Sequence, residues 1–143
     1  MAGYALALMP EAPDTRNLLL ILAKDLASRL STPVLVADRE GTLLYFNEAA
    51  EPVLGLSYAE VGILPYEKWA PLFEPRGSEG ESLLPDELPL STTISEHTPA
   101  HRSLTITGGD GEVRRLAVTA IPLFAHADEF VGAVSLFWED NDS

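Results

Sequence analysis

The stretch Leu44-Tyr-Phe-Asn-Glu-Ala-Ala-Glu-Pro-Val-Leu-Gly55 changes character at its middle. Leu44 to Phe46 suit a pleated strand, whereas Glu48 to Leu54 suit a short helix closed by Gly55. Asn47 stands at the switch, where its side-chain oxygen can cap the helix, with Glu48 and Glu51 near the positive helix end. Ala49 and Ala50 keep the first turn slim, and Val53 and Leu54 can enter a core. Pro52 would remove the N–H that bonds the Glu48 carbonyl, so a kinked or single-turn helix is expected. The stretch is a joint between two elements, and the flanking sequence says what it joins.

Upstream, Pro33 precedes the β-branched run Val34–Ala37, and Asp38-Arg-Glu-Gly41 supplies turn chemistry. Thr42–Phe46 then forms a hairpin with that run. Further upstream, Asp14 or Thr15 can cap a helix running to about Leu30. Leu19, Leu22, Ala23, Leu26 and Leu30 share one stripe at helical spacing, and Leu18 and Ile21 widen it. So broad a stripe can cover a sheet and also meet a copy of itself. Leu19, Leu22, Leu26 and Leu30 are therefore the expected dimer contacts. Residues 1–13, with two prolines, are expected to be a flexible arm.

Downstream, Pro65 and Pro71 restrict residues 57–73 to single helical turns, and residues 74–86 form a surface excursion. A helix opens at Asp86 or Pro89 and ends near His97, with Leu88, Leu90 and Ile94 pointing one way. The period then becomes two: Ser103–Thr107, a Gly108-Gly-Asp-Gly111 turn, Val113–Leu123, and a last strand Phe130–Trp138. Both faces of that last strand are largely apolar, so each face of the sheet needs a cover. The order gives an α+β fold, an antiparallel sheet with short helices on one face and the N-terminal helix on the other. The expected division is an arm at 1–13, an amphipathic helix at 14–31, the α+β domain proper at 32–140 and an acidic tail at 141–143.

The 143 residues are 46% apolar and suffice for one core. A formal charge of -13, from 22 acids against 9 bases, argues against a nucleic-acid partner. No cysteine is present, which excludes disulfides, thiolate metal sites and cysteine nucleophiles. The longest apolar run of the first helix, Leu18–Ala23, is far short of the roughly 20 residues of a membrane span. No basic residue precedes the N-terminal apolar run, so a cytoplasmic location is expected.

Asp38-x-x-Gly41 followed by Leu44-Tyr-Phe-Asn-x-Ala-Ala50 and Gly55 resembles the first hairpin and first helix of the PAS sensor domains of signalling proteins. Leu84-Pro-x-Glu-Leu-Pro-Leu90 is similar to a segment of bacterial members that leads into their longest core helix. Asp110-Gly-x-Val-Arg-Arg-Leu-x-Val-x-Ala-x-Pro122 and Phe130-Val-Gly-Ala-Val-x-Leu-Phe137 resemble their closing hairpin. The resemblance spans nearly the whole chain. It implies a five-stranded antiparallel sheet enclosing a pocket, which relatives fill with haem, flavin, small metabolites or their own side chains. It also implies signalling through terminal helices, often as a homodimer, toward a signalling partner or an output domain. Relatives commonly follow the last strand with an Asp-Ile-Thr-like motif; here Phe137-Trp-Glu-Asp140 leads into Asn-Asp-Ser instead.

By register, the pocket is expected to be lined by Val36, Leu44, Phe46, Val53, Leu54, Trp69, Phe73, Leu90, Ile94, Leu104, Ile106, Leu116, Val118 and Leu136. Such a lining suits an apolar ligand or a collapsed core that serves as a ligand-free interaction module. His97 lies near the position from which haem-binding relatives ligate iron, and it equally suits a solvated helix end. With no cysteine, a covalent chromophore is excluded, and flavin remains only as a non-covalent ligand. Pro99 separates His97 from His101, which argues against a two-histidine metal site. Ser91, Ser95 and Ser103 lack a nucleophile-elbow setting, and Gly108, Gly109 and Gly111 precede a strand rather than a helix. The expectation is a non-catalytic sensor or regulatory module.

Overall fold

The computed structural model describes residues 15–140, with side chains from residue 18. The expected arm at 1–13, the cap at Asp14 and the tail at 141–143 lie outside the described residues. The elements are α1 (Thr15–Ala27), β1 (Val34–Asp38), β2 (Leu43–Phe46), α2 (Ala50–Leu54), α3 (Tyr58–Val61) and α4 (Tyr66–Trp69). A 3-10 turn (Pro85–Glu87), α5 (Pro89–Glu96), β3 (Ala100–Thr107), β4 (Val113–Phe124) and β5 (Phe130–Glu139) follow. The strands form one antiparallel sheet in the order β2-β1-β5-β4-β3.

Each face of the sheet has its cover. The main core lies between the sheet and α2–α5, and a smaller cluster lies under α1, where Leu20, Ala23 and Ala27 pack on Val34, Val36, Tyr45, Val134 and Leu136. The spacing of Leu20, Ala23 and Ala27 is helical, but this stripe is rotated from the one read in the sequence. Leu22, Leu26 and Leu30 are exposed, together with Leu18 and Ile21, while Leu19 is half-buried. Small alanines bring α1 close to the sheet, so its larger leucines are left facing outward. The helix also stops earlier than expected. Beyond Ala27 the chain tightens, with Arg29 N donating to Leu26 O and Leu30 N to Ala27 O.

The sheet's edges are covered by irregular segments. Leu43 exchanges both backbone hydrogen bonds with Leu64 beside β2, and Arg76 does the same with Thr105 beside β3. The excursion at 74–86 thus pairs the free edge of β3, which would otherwise offer open donors and acceptors.

The hairpin between β3 and β4 is docked on the end of α2. Gly55 has φ +70°, in the left-handed region, and a Cβ there would lie 2.7 Å from Asp110 N. Gly109 N donates to Leu54 O at 2.8 Å. Asp110 accepts from Arg114 Nη2 at 2.7 Å and Nη1 at 3.1 Å, and from Glu112 N at 3.0 Å. Those bonds, the Arg114 guanidinium first, hold its carboxyl down at about 2 against an ordinary 3.8. A carboxyl with a depressed folded pKa stabilises the fold above its unfolded pKa, and that contribution disappears as pH falls from about 4 toward 2. Wild type is therefore expected to be more stable than Asp110→Asn at about pH 6, with the gap closing toward about pH 2. Thermal melting of both proteins across that range checks it, and a gap independent of pH would refute it.

Candidate functional site

The joint at Asn47 is built differently from the cap read in the sequence. α2 begins at Ala50 rather than Glu48, after a turn at Glu48–Ala49. Pro52 therefore falls in the first helical turn, where its missing N–H has no intrahelical partner to lose. Asn47 is fully buried. Its Oδ1 accepts from Val34 N at 3.0 Å and Ala50 N at 3.1 Å. Its Nδ2 donates to Thr32 O at 2.8 Å, Ala27 O at 2.9 Å and, at 3.4 Å, Leu30 O. One side chain thus holds the end of α1, the linker, the start of β1 and the start of α2.

Between the sheet and the short helices lies an apolar cavity of about 80 Å³. Leu54, Trp69, Phe73, Leu90, Leu104, Ile106, Leu116 and Val118 line it, all of them among the pocket positions read from register. Leu35, Leu43, Ala70, Pro75, Leu88, Pro89, Ser135 and Phe137 complete the lining and were not among those positions. Trp69 is buried, and its indole N–H donates to Gly41 O at 2.7 Å.

Six expected pocket residues lie elsewhere. Phe46 and Val53 are buried in the main core without reaching the cavity. Ile94 packs at the edge of that core and lines a surface groove with Glu40, Gly41, Tyr66, Asp86, Ser91 and Ser95. Val36 and Leu136 face α1 on the opposite side of the sheet. Leu44 belongs to neither cluster.

A single irregularity explains Leu44 in β2, whereas β1 alternates regularly and Leu35 and Val36 are both apolar, so alternation alone does not orient them. Leu35 pairs with Phe46, Val36 with Tyr45, and Ala37 with Leu43, so Leu44 is an extra residue in the ladder. Its carbonyl accepts from the Tyr58 hydroxyl at 2.7 Å. The bulge turns both Leu43 and Phe46 inward although they are three residues apart. In β5 the ambiguity is that of β1, because Leu136 and Phe137 are both apolar and alternation alone does not orient them. Phe137 faces the cavity.

His97 ends α5 with φ +61° and is exposed, its ring stacked 3.9 Å from that of Phe130. It does not line the cavity, so the haem reading finds no axial ligand there. His101 lies on β3, its Nδ1 2.7 Å from Thr119 Oγ1. No helix among the described residues is long and apolar enough to cross a membrane.

No family model matches the sequence, and neither does any curated protein. Solved structures do resemble it. The PAS domain of a protein from Colwellia psychrerythraea superposes with a TM-score of 0.61 at 13% identity, over 87% of this chain and 99% of that one. The PAS domain of nitrogen regulation protein NR(II) from Vibrio parahaemolyticus gives 0.56 at 17% identity, over 83% and 98%. The light-state dimer of the fungal blue-light photoreceptor Vivid gives 0.58 at 15% identity, over 76% and 78%. At such identities the likeness is one of fold. With its sheet order, its short helices over one face and its cavity between them, the chain has the fold of a PAS domain.

Proposed function

We propose that this chain is a non-catalytic cytoplasmic sensor module that self-associates through α1 and takes a compact apolar ligand into its cavity. The observation that carries the reading is the cavity of about 80 Å³, walled almost wholly by carbon between the sheet and the short helices. Close packing is the rule in protein interiors, so an apolar space of this size in the core calls for an occupant. Native mass spectrometry of protein purified without denaturation tests it. A retained small-molecule mass is expected; apo protein alone would remove support for a tightly held ligand and favour the ligand-free interaction module.

Self-association is supported by α1, whose outward face carries Leu18, Ile21, Leu22, Leu26 and, just beyond it, Leu30, all exposed. An apolar stripe of that kind on a surface helix marks a contact site. The same helix is tied to the core through Asn47, which gives ligand-induced changes a route to a signalling partner. Vivid, similar in fold, is described as a light-state dimer. In sedimentation velocity at micromolar concentration, wild type is expected to run as a dimer and the Leu22→Asp, Leu26→Asp double variant as a monomer. Leu22 and Leu26 are 54% and 60% exposed, so the substitutions should leave the fold intact. A monomeric wild type, or a dimeric double variant, would refute the assignment.

A further inference from the structure

Ser135 stands in the middle of β5, opposite Leu35 on one side and Ala120 on the other, and is 1% exposed. It shares its face of the strand with Ala133 and Phe137, so its side chain points to the cavity. Every other side chain lining that cavity is apolar apart from Trp69, whose N–H is taken by Gly41 O. The neighbouring buried hydroxyls have partners: Ser91 Oγ donates to Tyr66 Oη at 3.3 Å and Thr93 Oγ1 to Ala120 O at 3.4 Å. Ser135 thus carries the one side-chain hydroxyl of the cavity's lining; no fully enclosed side-chain polar atom among the described residues lacks a partner, and this hydroxyl opens on the cavity instead. Within that apolar lining the hydroxyl meets no other free hydrogen-bonding side chain, so a ligand's polar group is the partner it can take. Water is a poor partner, because a buried water needs two to four polar contacts and this cavity offers one.

We propose that Ser135 is the polar recognition point of the cavity and that its ligand is a compact apolar molecule with one hydrogen-bonding group, such as a short-chain ketone or alcohol. This rests on the reading of the cavity as a ligand site. The size agrees: an apolar cavity of about 150 Å³ holds benzene, so one of about 80 Å³ holds only a few non-hydrogen atoms. In such a complex the Ser135 O–H donates to the ligand's oxygen, and the leucines and aromatics around it cover the rest.

The test uses butan-2-one and 2-methylbut-1-ene, which match in non-hydrogen atoms and differ in carrying C=O or C=CH2. Each is titrated into wild type and Ser135→Ala, with binding followed through the methyl NMR signals of Leu90, Leu116 and Val118. Ser135→Ala is expected to weaken butan-2-one about tenfold and to leave 2-methylbut-1-ene unchanged. It should melt no lower than wild type, since it removes a hydroxyl that opens on the cavity. If both probes bind and their affinity ratio is the same in the two proteins, or if only the alkene binds wild type, the role of Ser135 is overturned while the cavity reading stands. A lower melting temperature for the variant would likewise assign the hydroxyl to structure. If neither probe binds wild type, the cavity reading fails and the role of Ser135 with it.

Discussion

Asn47→Ala is expected to lower stability by about 3 kcal/mol, because it strands several buried backbone groups at once. The Val34 N–H would lose the acceptor it has at 3.0 Å and the Thr32 carbonyl its donor at 2.8 Å, while the Ala27 carbonyl would lose its donor at 2.9 Å and keep only Leu30 N. Each unsatisfied buried group costs about 1–3 kcal/mol, partly relieved where water can enter the vacated space. An ordinary helix cap would cost only about 1 kcal/mol, so the size of the loss separates the two roles. Urea unfolding with an unchanged slope gives the number. A loss below about 1 kcal/mol would mean that the bonds to α1 and the linker contribute little. Asn47→Asp sharpens the result, since it keeps the acceptor for Val34 but abolishes the donor and buries a carboxylate. It should be at least as damaging as alanine. Hydrogen exchange should also rise first in the last turn of α1, whose terminal carbonyl Asn47 holds.

How far the sequence reveals this arrangement depends on the range of the interaction. Turn residues, periodic runs and the two apolar faces of Phe130–Trp138 are local signals, and they lead to a five-stranded sheet covered on both sides. The bulge at Leu44 is not local: whether Leu43 or Leu44 turns inward depends on how β2 registers against β1. Hence the sequence points to Leu44 where Leu43 stands; Val36 is misplaced for another reason, because Leu35 and Val36 are both apolar neighbours in a regular strand. In α1, hydrophobicity alone favours the leucine-rich side, but close approach to the sheet selects the side with Ala23 and Ala27. Asn47 illustrates the same limit. Its capping chemistry is readable from the residues that follow, whereas its bonds to Ala27 and Thr32 need the folded positions of segments 15 to 20 residues away. Ser135 carried no periodic signal, because a lone hydroxyl in an apolar strand acquires meaning only from the space it faces.

Gly132→Ala is expected to cost about 2–4 kcal/mol, for a reason confined to backbone contact. Gly132 pairs with Asp38 across β1 and β5, and a Cβ at this position would lie 2.3 Å from Ala37 O and 3.1 Å from Asp38 Cα. Both are backbone atoms of the neighbouring central strand, so relief requires β1 and β5 to separate. The added methyl would also meet Leu20 Cδ2 at 3.2 Å, on the face that α1 covers. The two contacts differ in what can move. A leucine terminus can rotate away, whereas a carbonyl held in a sheet cannot. The double variant Gly132→Ala, Leu20→Ala therefore distinguishes them by unfolding measurements: if the clash with Leu20 dominated, shortening that side chain would restore part of the stability. The expected result is no rescue but a further loss, because Leu20→Ala also removes apolar burial under α1. Since β1 carries both Val34, which Asn47 holds, and Val36, on which α1 packs, spreading β1 from β5 should loosen α1 as well. For the self-association proposed through α1, weaker association in sedimentation at unchanged Leu22 and Leu26 would be the outward sign of that coupling, and association as strong as wild type would refute it.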